Sequence, residues 1–277
     1  MEIALPFPNV DPVAFSLGPV VVRWYALAYL GGVLLGALYG MAILRRKSLW
    51  ANSSPPFEAP AIFDFAFWAV IGIVVGGRLG YVLFYNFSVY AAHPLDALKL
   101  WDGGMSFHGG LVGIIVAMVL FTRSKGGNIL SSLDLLAAVG PIGLFLGRVA
   151  NFINGELYGR ETTLPWGVIF PNAGPLPRHP SQLYEGLLEG VIMFLIIRFV
   201  THVLHGLRRP GLAAGIFGIW YAISRIIVEF VRIPDAQLGY LFAGWVTMGQ
   251  ILSLPVFCAG IVLMVCALRN NPIAGYP

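Results

Sequence analysis

Residues Trp24 to Leu44 read WYALAYLGGVLLGALYGMAIL, a continuous apolar run without Asp, Glu, Lys or Arg. A helix needs about 20 mostly apolar residues to cross the hydrocarbon core of a bilayer. Two further stretches without these charged residues, Gly103 to Thr122 and Ala236 to Leu268, meet the same condition. Long uninterrupted runs of this kind predict membrane-spanning α-helices rather than the short alternating strands of a β-barrel.

Four more stretches, approximately residues 62–85, 131–151, 184–204 and 211–231, are long enough if a few internal charges are allowed. The sequence therefore predicts an all-α, polytopic membrane bundle of about seven helices. We expect one integral membrane domain over residues 1–277 with an outward-facing loop insertion at about 152–183. The last apolar stretch is too long for one span, so its opening residues are predicted to form an interfacial or re-entrant piece.

The composition supports a membrane protein and excludes other classes. Of the 277 residues, 58% are hydrophobic and 11% charged, whereas a soluble domain carries roughly 25% charged residues. The net charge is only +4 and its cations are scattered, so nucleic acid is not an expected partner. Cys258 and Cys266 share one apolar segment, about 12 Å apart along a helix, so no disulfide is expected. The sequence has no Cys/His ligand spacing, so neither a metal nor a cofactor is predicted.

The loops predict the orientation. No cleavable signal is expected, because the first basic residue is Arg23. Cations are concentrated in the first, third and fifth connections and at the C-terminus: Arg45, Arg46, Lys47, Arg123, Lys125, Arg198, Arg208, Arg209 and Arg269. The positive-inside rule therefore places the N-terminus outside and the C-terminus in the cytoplasm.

Ionisable side chains from five predicted helices fall in one layer below the outer surface: Arg23, Arg78, His108, Arg148, Arg225, Glu229 and Arg232. Arg225, Glu229 and Arg232 share one helical face, and a single glutamate cannot neutralise two arginines. Glu156 is the only other acid clearly at this depth, so we expect a surplus of positive charge and an anionic ligand, most simply a phospholipid headgroup. The alternative is that arginines near helix ends, Arg23 and Arg232 above all, extend to the headgroups.

The densest polar run in the chain is GRVANFINGELYG, from Gly147 to Gly159. Arg148 and Asn151 are predicted to share a helical face, and Asn154-Gly155 indicates a turn. This run is either a capped helix exit or part of a binding site. Two asparagines, an arginine and a glutamate are more than a helix exit requires, which favours the site.

This run resembles the signature of bacterial prolipoprotein diacylglyceryl transferases, G-R-x-[GA]-N-F-x-N-x-E-x-x-G, and matches every specified position. Further matching blocks follow in the family's order across nearly the whole chain: Arg23-Trp24-Tyr25, GGMSFHGG at 103–110, HPSQLYE at 179–185, and Arg225 through Glu229 to RIPD at 232–235.

The resemblance implies a seven-helix enzyme of the bacterial inner membrane with a periplasmic N-terminus. Such an enzyme transfers the diacylglyceryl group of phosphatidylglycerol to the lipobox cysteine of a prolipoprotein, forming a thioether and releasing sn-glycerol 1-phosphate. Arg148 is then expected to bind the lipid headgroup. The other implied site positions are Tyr25, His108, Asn151, Asn154, Glu156, Gly159, Arg225, Glu229 and Arg232.

The physical chemistry fits this reaction. Fixed arginines, for which Arg148 and Arg225 are the candidates, stabilise the charge that accumulates on the departing phosphate. A cysteine thiol has a pKa near 8.5 and needs a base, and His108 has a suitable intrinsic pKa. Two alternatives stay open: His108 only caps a helix or orients a headgroup, and Tyr25 belongs to the outer aromatic belt.

A transporter for anionic solutes is the main rival from another functional class. It would also place arginines within helices, but usually near the bilayer midplane and with internal repeats. No repeat is visible here, and the charges lie towards one surface. Motifs of intramembrane serine proteases and of phospholipid alcohol-phosphate transferases are also missing.

Overall fold

The computed structural model describes residues 4–8, 10–100, 103–234, 239–242 and 244–270, without the side chains of residues 20, 107, 108 and 270. The described chain is mostly helical. Its helices are α1 Trp24–Arg45, α2 Ala61–Phe84, α3 Phe87–Ala92, α4 Phe107–Ser124, α5 Ile129–Ile153, α6 Ser181–Glu185, α7 Met193–His202, α8 Leu212–Glu229 and α9 Met248–Asn270. A π-helical segment, Gly186–Ile192, joins α6 to α7. Short strands β1 Leu5–Pro6 and β4 Val168–Ile169 pair in parallel, and β2 Val13–Leu17 and β3 Val20–Arg23 pair antiparallel.

Five of the described helices (α1, α2, α5, α8 and α9) are long and apolar enough to cross a membrane. This confirms the predicted helical membrane bundle, while the count of seven and the orientation stay predictions. The overlong last stretch is not one helix: α9 begins only at Met248, after a turn in which Phe242 and Val246 pair. The third predicted span also begins late, at Phe107, because Gly103 and Gly104 adopt positive φ and Ser106 then caps the helix.

Glycines bring α2 against α4. A Cβ atom at Gly72 would lie 2.9 Å from the Ala117 Cβ, and one at Gly76 would lie 2.8 Å from the Gly113 Cα. These helices therefore pack backbone to backbone, as small residues at every fourth position allow.

The apolar core lies at one end of the bundle. It contains the last turn of α1, the last turn of α4 and the first turns of α2, α5 and α8, around the buried side chains of Trp50, Phe121 and Leu135. Asp134 is buried in this end, where it accepts hydrogen bonds from the backbone of Gly211 (2.7 Å) and Ala214 (2.8 Å) at the start of α8. A carboxylate at a helix N-terminus is stabilised by the exposed N–H groups and the dipole. The opposite end is left for polar side chains.

Substituting Gly113→Ala tests the α2–α4 contact. A Cβ at Gly113 would overlap the carbonyl oxygen of Gly72, so the helices must separate, at a cost of about 1–3 kcal/mol of unfolding free energy. Thermal unfolding of the purified protein in detergent measures the change. Gly143→Ala on α5 is the control, because its Cβ meets no atom within 4 Å. A melting temperature for Gly113→Ala equal to that of the control would contradict this packing.

Candidate active site

Arginines and glutamates alternate in one chain of ion pairs within the bundle, away from the apolar core. Arg148 on α5 contacts two carboxylates: its Nη1 lies 3.1 Å from Glu185 Oε2, and its Nη2 lies 3.2 Å from Glu189 Oε2. The other oxygen of Glu185 pairs with Arg225 on α8. Glu185 is fully buried and lies between the two arginines. It therefore fixes the position of one guanidinium relative to the other.

The second half of this chain of ion pairs is held by α8 and the start of α9. Glu229 Oε1 lies 2.5 Å from Arg225 Nη2 and 3.2 Å from Arg232 Nη1, and Thr247 Oγ1 donates to Glu229 Oε2 at 2.8 Å. Thr247 and Gln250 cap α9 reciprocally, with backbone-to-side-chain hydrogen bonds of 3.0 and 3.3 Å. One threonine thus both caps α9 and orients Glu229.

The two glutamates that contact Arg148 come from consecutive helical segments: Glu185 ends α6, and Glu189 lies in the π-helical segment. Gly190 packs so tightly on α5 that a Cβ there would lie 2.6 Å from Phe145 Cβ. Trp220 on α8 donates to the carbonyl of Leu188 at 2.9 Å, which satisfies a polar group within the π-helical segment. Such π-helical turns often lie at functional sites. Here the π-helical segment places Glu189 beside Arg148, four residues after Glu185.

A second polar group lies at the C-terminal end of α5. Asn151 Nδ2 donates to Glu156 Oε1 at 2.8 Å and lies 3.3 Å from Tyr25 Oη on α1. The ring centroids of Tyr25 and Tyr29 are 5.0 Å apart. Tyr29 in turn interacts electrostatically with Arg148. These contacts bring α1, α5 and the following turn together. The signature run is therefore tied to α1 by side-chain hydrogen bonds, which a simple helix exit does not require.

The long loop closes onto α8 beside the arginines. Gly159 pairs with Arg232 in an isolated bridge, and the Gly159 N–H donates to the His179 carbonyl at 2.8 Å. A Cβ at Gly159 would lie 2.5 Å from the Val231 oxygen, so only glycine fits. Arg160 Nε donates to the Arg232 carbonyl at 3.0 Å. The loop thus fixes the end of the ion-pair chain.

The two central arginines keep some access to a ligand. Their side chains retain 14% (Arg148) and 13% (Arg225) exposure. Each guanidinium has five N–H donors, and the ion pairs occupy only some of them. The arrangement therefore presents fixed, oriented donors that can bind phosphate oxygens in two-point contacts. Among the described residues, no group of three His, Cys, Asp or Glu side chains could hold a metal ion.

The structure places the predicted site residues in different surroundings. It brings Arg148, Arg225, Glu229 and Arg232 into one chain of ion pairs, with Asn151, Tyr25, Glu156 and Gly159 nearby. Asn154 follows α5 as its C-cap, and its Oδ1 is buried without a hydrogen bond in the described part of the chain. His108 lies in the first turn of α4, but its side chain lies outside the described part.

Two arginines of the predicted layer lie elsewhere. Arg78 donates to backbone carbonyls of the segment that precedes α4, among them Asp96 and Ala97 at 2.8 Å each. The expectation that Arg78 joins an anion-binding layer is wrong, because carbonyl oxygens already occupy its guanidinium. Arg23 ends β3 with an exposed side chain, which agrees with the alternative of an arginine that extends to the surface.

The predicted surplus of positive charge is also wrong. Glu185 and Glu189 reach the same layer from the helix that follows the loop, so three carboxylates meet three guanidiniums. The signal was present in the sequence, because both glutamates lie one turn apart in the predicted span 184–204. Arg148, Arg225 and Arg232 are compensated in this way, since an uncompensated charge is costly inside a membrane.

Comparison with known proteins shows the family of the chain. The sequence profile described as prolipoprotein diacylglyceryl transferase matches residues 12–266. The chain belongs to the prolipoprotein diacylglyceryl transferase family. It is 54% identical over 267 residues to the phosphatidylglycerol–prolipoprotein diacylglyceryl transferase of Brucella anthropi, covering 96% of this chain and 95% of that protein. The proteins of the same name from Brucella canis and Brucella ovis are also 54% identical, over 261 residues, with 94% and 93% coverage.

In this member of the diacylglyceryl transferase family, Glu185 is the carboxylate on which the site's geometry depends. Glu185→Gln removes the charge that Arg148 and Arg225 share. We expect the free energy of unfolding to fall by about 3–5 kcal/mol, because two buried guanidiniums lose a partner. Thermal unfolding in detergent measures this loss.

The control for Glu185→Gln is Glu161→Gln. Glu161 pairs with Arg178 at 3.2 Å, but its side chain is 55% exposed, so its loss is expected to cost less than about 1 kcal/mol. Equal stability losses in the two variants would contradict the central role of Glu185.

The loop provides a pH-dependent contact. Partial burial and, secondarily, the charge of Arg160 lower the pKa of His179, whose Nδ1 lies 3.2 Å from Tyr184 Oη. Because the folded state prefers neutral His179, the free energy of unfolding should fall as the pH drops below the ordinary histidine pKa of about 6.5.

Melting temperatures measured between about pH 5 and 8 test this contact. The decrease in melting temperature at acidic pH should be smaller for His179→Gln than for the wild type. His93→Gln, an exposed histidine, is the control; an unchanged pH profile in His179→Gln would refute this role.

Proposed function

We propose that this protein transfers the diacylglyceryl group of phosphatidylglycerol to the lipobox cysteine thiol of prolipoproteins, the first step of lipoprotein maturation. The observation that carries the proposal is the pair of arginines, Arg148 and Arg225, held by one buried glutamate in a member of this family. The Brucella relatives are named for this transfer.

The reaction exchanges one bond for another. The cysteine sulfur attacks the glycerol carbon that carries the phosphate, a C–S bond forms, and the C–O bond to the phosphate breaks. The thiol proton goes to a base, and sn-glycerol 1-phosphate leaves. Negative charge builds up on the departing phosphate, which is where fixed guanidiniums lower the barrier.

Arg148 and Arg225 are proposed to grip the phosphodiester with donors that the carboxylates leave free. Glu185 and Glu229 hold these arginines in place, so little reorganisation accompanies the reaction. Arg232 and Gly159 fix the adjoining loop. His108 stays our candidate for the general base, on sequence grounds alone.

The polar group around Asn151 is proposed to bind the hydroxyls of the glycerol headgroup. Tyr25 Oη, the Asn151 amide and the Glu156 carboxylate already form one hydrogen-bonded set, and together they offer both donors and acceptors. Asn154, with a buried unsatisfied oxygen, is a further candidate for substrate contact.

We propose seven membrane crossings in a single domain over residues 1–277. Beyond the five long helices, α4 contains the apolar helix Gly109–Ser124, and α6, the π-helical segment and α7 form one helical path over residues 181–202. The positive-inside rule then supports a periplasmic N-terminus, an extracytoplasmic loop at about 152–183 and a cytoplasmic C-terminus in the bacterial inner membrane.

Arg148→Lys tests the phosphate contact. Lysine keeps the charge but loses the planar two-point geometry, so we expect transfer to fall by about 10²–10³-fold. The purified protein is mixed with phosphatidylglycerol and a lipobox peptide, and mass spectrometry quantifies the diacylglyceryl thioether. Arg123→Lys, an exposed arginine at the end of α4, is the control. Full activity of a folded Arg148→Lys protein would refute the assignment.

A further inference from the structure

A basic cavity lies between the C-terminal ends of α1 and α7, at the end of the bundle that contains the apolar core. It has a volume of about 220 Å³ and is lined by Tyr39, Ala42, Ile43, Arg46, Arg198 and His202. The transfer reaction proposed above uses none of these residues. Tyr39 on α1 contacts α7 directly, because its ring lies 5.3 Å from that of Phe194.

Tyr39 organises the cations of this cavity. Arg198 Nη1 donates to Tyr39 Oη at 3.3 Å, and the His202 ring stacks on Tyr39 with an interplanar angle of 11°. Thr201 Oγ1 lies 2.8 Å from His202 Nδ1, which fixes the imidazole ring further. Tyr39 thus contacts a guanidinium through its hydroxyl and an imidazole through its ring.

The charges in the cavity are unbalanced. Its lining includes Arg46 and Arg198 but no Asp or Glu, and the Arg46 guanidinium has no hydrogen bond or ion pair within the described part of the chain. Cations near helix C-termini compensate the helix dipole, which explains each arginine separately. It does not explain two guanidiniums around a single cavity, since like charges repel. An anion between them removes that repulsion.

Exposed apolar side chains continue from the cavity along both helices. On α1, Leu35 and Leu38 lie about one turn before Tyr39 and Ala42 and are 49% and 45% exposed. On α7, Leu195 and Phe199 flank Arg198 and are 59% and 53% exposed. A lipid could place its phosphate in the basic cavity and its acyl chains along the adjoining apolar surface.

This cavity is separate from the arginine site. Tyr39 follows Tyr25 by fourteen positions on α1, which corresponds to about 21 Å along a helix. Arg198 follows Glu185 by thirteen positions, or about 20 Å. One lipid headgroup cannot occupy both places. Under the proposed orientation, the basic cavity opens at the cytoplasmic leaflet.

We propose that the cavity between the ends of α1 and α7 binds the phosphate of an anionic glycerophospholipid of the opposite leaflet. Arg46 and Arg198 bind the phosphate oxygens, His202 donates to the headgroup, and the acyl chains lie along Leu35, Leu38 and Leu195. The bound lipid fastens α7 to α1. This site does not depend on the transfer reaction.

Native mass spectrometry of the full chain tests the proposal. The protein in neutral detergent is titrated with phosphatidylserine, and lipid adducts are counted for the wild type, Arg46→Gln/Arg198→Gln and the control Arg45→Gln/Arg123→Gln. The control removes two exposed arginines that do not line the cavity. We expect the first variant to lose one bound lipid, with an apparent affinity at least about tenfold weaker, and the control to match the wild type. Equal adduct counts in all three proteins would overturn the proposal.

Two further measurements keep the result interpretable. Arg46 is exposed, so the single variant Arg46→Gln should fold normally. We expect its affinity for lipid to be several-fold weaker than that of the wild type. An unchanged affinity would overturn the proposal. Inorganic phosphate is added in place of lipid while the melting temperature is followed. Stabilisation of the wild type by phosphatidylserine alone supports a lipid, whereas equal stabilisation by millimolar phosphate would show a free-anion site and overturn the lipid assignment.

Discussion

A guanidinium inside a membrane protein must have its N–H groups and charge compensated, and three arginines that do this through carboxylates govern the half of the bundle that holds the site. Arg148, Arg225 and Arg232 meet this requirement through Glu189, Glu185 and Glu229 in an alternating chain of ion pairs. The links from Glu185 to Arg148 and Arg225 join different helices, so breaking one exposes an uncompensated charge to a low-dielectric surrounding. Helices α5, α6 and α8 are therefore held in one relative position.

The rest of the fold supplies what this chain of ion pairs needs. Apolar packing is concentrated at the other end, around Trp50 and Leu135, so stability does not depend on filling the polar end with side chains. Gly190 lets the π-helical segment pack on α5, and Gly159 lets the loop pack beside Val231, close to Arg232. The cap of α9, through Thr247, orients the last glutamate.

A paired cluster suits phosphate chemistry better than a cluster with surplus charge. Unpaired arginines would bind a ground-state phospholipid tightly and would gain little as the reaction proceeds. Arginines already held by carboxylates bind the substrate more weakly but keep oriented donors. Those donors become more valuable as the leaving phosphate gains charge.

The sequence alone determined the helical membrane class and the signature from Gly147 to Gly159, because hydropathy and spacing are local properties. It did not determine the charge balance, since Glu185 and Glu189 lie far from Arg148 in the chain and meet it only where α5 packs on the π-helical segment. Nor did it separate Arg78, bound to carbonyls, from the site arginines. Which cation meets which acceptor is decided by helix packing, because the free energy of a buried charge depends on neighbours that only the tertiary structure brings within 4 Å.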